Sequence, residues 1–199
     1  MGGLQVYKNK LTIPMRILKM VFMLIFVSQY LKTEAQIGDI FPAMEAESLT
    51  NDFVNIPEDI KGKYSIIGLA YSKKSEQDLK SWYSPAYNTF IYKPEKPSVF
   101  ASNYDVHVFF VPMFTGAKRP AYKSVMKKVQ KGLDPRLKPH VLFYKGQIKE
   151  YKKALNFKGK DVPYFFVIDP DGKITHTVSG SYTDGKMQAI VDKVEDAWQ

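Results

Sequence analysis

Among the 199 residues there is no cysteine. Disulfide exchange, thiol-dependent peroxide reduction and covalent catalysis from a thiolate are thereby excluded, as is acylation at a cysteine behind an export signal. Histidine is nearly as scarce. His107, His140 and His176 are too few and too scattered for a metal motif, and no His-x-x-x-His pair accompanies them, so neither a metal nor another cofactor is expected. Asp169-Pro170-Asp171-Gly172 lacks the downstream ligands of an EF-hand loop and reads as a turn. Ser124 and Lys127 fit a Ser-x-x-Lys pattern, but inside a run of lysines and without the accompanying motifs of acyl-transfer enzymes. There is no internal repeat and no low-complexity tract. A chain that is 45% hydrophobic and 14% aromatic then implies one globular domain.

Acidic residues are missing from the first 33 positions, where Lys8, Lys10, Arg16 and Lys19 precede the apolar run Met20 to Val27. That layout is a secretory signal peptide, and Ala35 supplies the small residue before a cleavage site. The expected division is a signal peptide over 1–35 and a mature domain over 36–199. The apolar run is roughly half of the ~20 residues that span a bilayer, which disfavours a permanent transmembrane helix; an uncleaved anchor is the alternative. Met15 is an alternative start. Residues 1–35 hold five basic side chains and one acidic one, so cleavage lowers the formal charge from +9 to +5. Whole-chain basicity is therefore a poor argument for nucleic-acid binding, and none is expected. The expected location is the periplasm or the cell exterior.

In the mature part, 37–42 reads as an extended opening. The unbroken apolar run 64–71 predicts a central strand covered on both faces. Ser75 to Tyr87 predicts a helix with Ser75 as its N-cap and Asp78 completing a capping-box variant. Residues 104–111 form a second buried strand after the Pro-bearing stretch 92–97. A basic helix opens at Pro120, with Val125, Met126 and Val129 inward and Lys123, Lys127 and Lys131 outward. A short aromatic strand over 140–144 and a short helix over 149–156 follow. Then come a strand over 164–169, a turn, its partner over 174–179, and a closing helix from Thr183 to Trp198 with Met187, Ile190, Val191 and Val194 inward. A βαβ unit followed by a hairpin and a helix predicts an α/β fold, a central mixed β-sheet with helices on both faces.

The run Val162-Pro163-Tyr164-Phe165-Phe166-Val167-Ile168-Asp169-Pro170-Asp171-Gly172-Lys173-Ile174 resembles the second half of thioredoxin-like proteins. The resemblance implies that Pro163 is a cis-proline, and that the backbone at Val162 and Pro163 is free to pair with an extended peptide. The local residues alone allow equally a proline that opens a strand in trans. The family's Cys-x-x-Cys position falls on Ser72-Lys73-Lys74-Ser75, so both thiols are replaced by hydroxyls. Within the superfamily, residues 137–174 resemble the thioredoxin-like assembly factors of the ATP synthase. That resemblance implies action by binding protein partners, some of the group having no redox dithiol.

The candidate binding surface is accordingly Ser72, Lys73, Lys74, Ser75, Val162 and Pro163. The expected function is that of a protein-binding or assembly module without catalysis, its partner an unidentified protein or peptide. An enzyme using Ser72, Lys73 or Lys74 is the alternative; a serine there needs an adjacent base, and none is visible in the sequence. The basic stretch Lys118 to Lys138 is a solvated helix face in its ordinary reading. Its functional alternative is docking to an acidic partner or weak association with an anionic membrane surface.

Overall fold

The computed structural model describes residues 37–93 and 104–196. The expected signal segment 1–35, its expected cleavage point and the alternative start at Met15 lie outside the described residues, as do most of the Pro-bearing stretch 92–97 and the last residues of the expected closing helix. Seven strands make one mixed sheet: β1 (Met44–Ser48), β2 (Phe53–Ile56), β3 (Ser65–Ala70), β4 (His107–Thr115), β5 (Leu142–Gly146), β6 (Tyr164–Ile168) and β7 (Ile174–Ser179), in the order β2-β1-β5-β4-β3-β6-β7. The helices are α1 (Lys73–Lys80), α2 (Tyr83–Ala86), α3 (Tyr122–Gly132), α4 (Lys149–Ala154) and α5 (Asp184–Glu195). β3 lies between β4, which runs parallel to it, and β6, which runs antiparallel.

The expected α/β sheet is present, and its physical reason is visible in β3. All six of its residues are buried, with Ile66 facing one core cluster and Ile67 and Leu69 the other. Gly68 has no alternative, because a Cβ there would stand 2.5 Å from the ring of Phe165. The two parallel crossovers step the same way across the sheet, and right-handed connections then place α1 and α3 on one face. Leu79 of α1, Met126 of α3 and Ile190 of α5 share that core. The opposite face is covered by Tyr151 of α4 together with Phe41, Ile56 and Ile60.

The helix expected over 75–87 is divided. Its true N-cap is Ser72, and Ser75 is the third helical residue. The break falls at Ser81–Trp82, since Pro85 has no N–H for the Ser81 carbonyl and is tolerated only within the first turn of a new helix. Ser81 Oγ instead donates to the Asp78 carbonyl at 2.6 Å, and after α2 the chain passes into a π turn closed by Tyr92 N–H on the Tyr87 carbonyl. Asp78, expected in the capping box, faces Lys74 at 3.7 Å.

The hairpin β1–β2 was not expected, although Met44-Glu45-Ala46 alternates buried, exposed, buried. Its turn is held by Ser48 Oγ, which accepts from Thr50 N–H and Asp52 N–H, and by Asn51 at φ 67°. From β6 onward the expected elements stand in place. Thr183 caps α5, and Met187, Ile190, Val191 and Val194 are buried.

The expected cis bond at Pro163 is a correction. The cis peptide bond of the described chain is Ile56–Pro57, and Val162–Pro163 is trans. Pro163 opens β6 in extended conformation, where the missing N–H costs no ladder bond, and its carbonyl accepts Gly180 N–H at 2.9 Å. The Pro163 carbonyl is thus committed to the hairpin.

Candidate functional site

The register that pairs Leu69 with Tyr164 brings the C-terminal end of β3 beside the N-terminal end of β6. Ser72 to Ser75 and Val162–Pro163 therefore lie at the same end of the sheet, as the sequence led one to expect. What occupies that end is a closed network. Ser72 Oγ accepts from Ser75 N–H at 3.0 Å, and Ser75 Oγ accepts from Ser72 N–H at 2.9 Å. The hydroxyls lie 3.2 Å apart, and that of Ser75 donates to the Ser72 carbonyl at 3.1 Å. Both side chains are thus spent on a reciprocal capping box. Ser75 is fully buried, so its hydroxyl has no path to a ligand. Lys73 and Lys74 are exposed.

Around this cap stands an aromatic stack that sequence reading did not single out. Phe157 lies between Tyr71 and Tyr164, with ring centroids 5.3 Å and 4.5 Å away and planes within 14° and 24°. The hydroxyls of Tyr71 and Tyr164 both donate to the Gly159 carbonyl at 2.8 Å, and Gly159 N–H donates to Tyr164 Oη at 2.7 Å. The loop before Pro163 is pinned to the end of β3. Burial first, then the neighbouring Tyr164 and Asp161, pushes the Tyr71 hydroxyl up to about 12. Its signal in the sequence was Phe157 and Tyr164 bracketing Gly159, which becomes informative only once β3 and β6 are known to be neighbours.

From Lys73 a cleft of about 500 Å³ runs between α1 and α3. Its floor is apolar, from Leu79, Val141 and Phe143, and its α3 wall is Val125, Val129 and Leu133. Glu76 stands at its edge, ion-paired with Lys118 across to the segment that precedes α3. Tyr83, its ring tilted 49° against that of Phe110 at a centroid distance of 4.5 Å, lines the same cleft, and burial, helped by Glu76, holds its hydroxyl well above the usual tyrosine range. Val125 and Val129 were expected in the core; they are half-buried and face this opening.

The histidines are dispersed, with His107 at the start of β4, His140 donating from Nδ1 to the Val108 carbonyl at 3.0 Å, and His176 in β7. Burial lowers the pKa of all three. Among the described residues no group of three or more His, Asp or Glu side chains gathers where a metal ion could be held.

This geometry has relatives among solved structures. BsSco, described as a member of the Sco family of cytochrome c oxidase assembly proteins, matches with a TM-score of 0.55 at 14% identity, covering 83% of this chain and 97% of that one. A putative thiol:disulfide interchange protein DsbE from Chlorobium tepidum matches at 0.51 and 14% identity, over 83% and 100%. Yeast Sco1 with copper bound matches at 0.50 and 16% identity, over 81% and 94%. At such identities the likeness establishes the fold, which is thioredoxin-like. Among curated proteins none matches the chain. The model of the ATP10 protein family, in contrast, matches residues 15–196. A thioredoxin-like sheet with serines at the dithiol position is thus this chain's form of a family that spans nearly its whole length: the chain belongs to the ATP10 protein family.

Proposed function

We propose that this protein is an exported assembly module that holds a protein partner at the Ser72–Pro163 end of the sheet and does no chemistry on it. The observation that carries the reading is the reciprocal cap. A nucleophilic serine needs a base within hydrogen-bond reach. Ser72 and Ser75 instead satisfy one another, and Lys74 faces Asp78. Membership of the ATP10 family and the fold shared with Sco-type assembly proteins support an assembly role. The alternative, an enzyme built on Ser72, Lys73 or Lys74, draws no support from these contacts.

The test is site-specific photo-crosslinking in the envelope fraction, with benzoylphenylalanine in place of Lys74. A discrete adduct with another protein is expected. The reading is overturned by an absence of adducts together with a monomer that co-purifies with nothing, before and after Pro163→Ala.

A further inference from the structure

The cleft between α1 and α3 has an apolar floor and a basic rim. Val125, Val129 and Leu133 recur four residues apart and stay half-buried, a stripe wide enough to receive a second apolar stripe. Lys73, Lys80 and Lys128 stand at the opening, exposed, and none belongs to an ion pair among the described residues. Among the described residues one carboxylate lines the cleft, that of Glu76, and it is already ion-paired with Lys118. α3 itself carries no acidic residue, so its exposed Lys123, Lys127 and Lys131 add field of the same sign.

An apolar trough with unpaired cations along its edges selects for a ligand that is apolar on one side and anionic on the other. We propose that the cleft receives an acidic amphipathic helix of the protein partner. Its apolar face would pack on Val125, Val129 and Leu133 while its carboxylates meet Lys73, Lys80 and Lys128. At 11 residues α3 is about 16 Å long, which matches about three turns of such a helix. This inference rests on the binding-module reading and adds the chemistry of the partner.

Gly132 offers a clean test. It lines the cleft at the end of α3, and a Cβ there would meet nothing within 4 Å. A phenylalanine at this position therefore adds bulk at the cleft's lining without disturbing the core. The probe is a fluorescein-labelled amphipathic helical peptide with leucine on one face and glutamate on the other, added to the full chain. Its counterpart with lysine for glutamate is the control, and phosphatidylglycerol vesicles are a second probe. The glutamate peptide should bind, more weakly as salt rises. Binding should fall about tenfold or more in the surface double variant Lys73→Glu/Lys128→Glu and in Gly132→Phe, while circular dichroism and Tm show both folded. Equal binding of the lysine peptide overturns the proposal, as does undiminished binding to either variant. Vesicle capture without peptide binding overturns it too, and assigns the basic face to a lipid surface. If Gly132→Phe keeps the Lys74-site adduct unchanged, the partner docks elsewhere and only this inference falls. If the chain with the crosslinker at position 74 and no other change forms no adduct and co-purifies with nothing, the binding-module reading falls with it.

Discussion

Tyr71 shows how a single side chain closes the end of the sheet. It is 8% exposed, its ring stacks on Phe157, and its hydroxyl donates to the Gly159 carbonyl. The folded protein holds its proton up to about pH 12, whereas an unfolded tyrosine releases it near its ordinary value of 10. The raised folded value means that the stabilisation is fully present below pH 10 and is lost as pH rises from 10 toward about 12. Alkaline denaturation followed by circular dichroism should therefore show a steep loss of stability in that window. Tyr71→Phe should flatten that loss, while costing about 1 kcal/mol at neutral pH for the hydrogen bond to Gly159. A variant whose alkaline limb coincides with that of the wild type would show that Tyr71 titrates freely.

At the scale of the element, α1 is a short helix whose start is secured twice. Eight residues are too few to be stable alone, so the cap and the buried Leu79 must hold them. Ser72→Ala is expected to cost about 1 kcal/mol in urea denaturation, and Ser72→Asn, which restores a capping acceptor, should recover most of it. Neither change should abolish the crosslink at position 74, because the hydroxyl serves the helix and not the partner. The same helix shows what a sequence can and cannot disclose. β6, β7 and α5 were legible because a Pro-Asp-Gly turn and the four inward residues of α5 are local signals. The start of α1 was misplaced by three residues, since Ser72 and Ser75 are equally good caps until the end of β3 is fixed. β1–β2 went unnoticed although Met44 to Ser48 alternates, its acidic and small residues being poor strand formers whose burial comes from β5 and the core beneath. The isomer at Pro163 was misread because resemblance outweighed the local geometry of a strand-opening proline. The α1–α3 cleft was illegible altogether. Val125 and Val129 carry the helical period of a core face, and nothing local says that the neighbouring helix is too short to cover them.

For the whole molecule, basicity is divided between residues 1–35, expected to be a targeting segment, and one face of the domain. Export predicts a mature protein beginning at Gln36, with a formal charge of +5 in place of +9. Mass spectrometry of the protein recovered from its host decides this. A chain retaining residues 1–35 would replace export and release with a permanent attachment.

Residues 38–41 are bonded to the end of the β6–β7 hairpin that lies away from the candidate surface. Gly38 N–H donates to the Ile174 carbonyl, Ile174 N–H to the Asp39 carbonyl and Phe41 N–H to the Gly172 carbonyl, so residues 38–41 are stitched to the β6–β7 turn. That turn lies at the far end of β6 from Pro163, about 20 Å of extended chain away. Residues 38–41 and the serine cap therefore stand at opposite ends of β6, so a substitution that loosens the one leaves the other's contacts untouched.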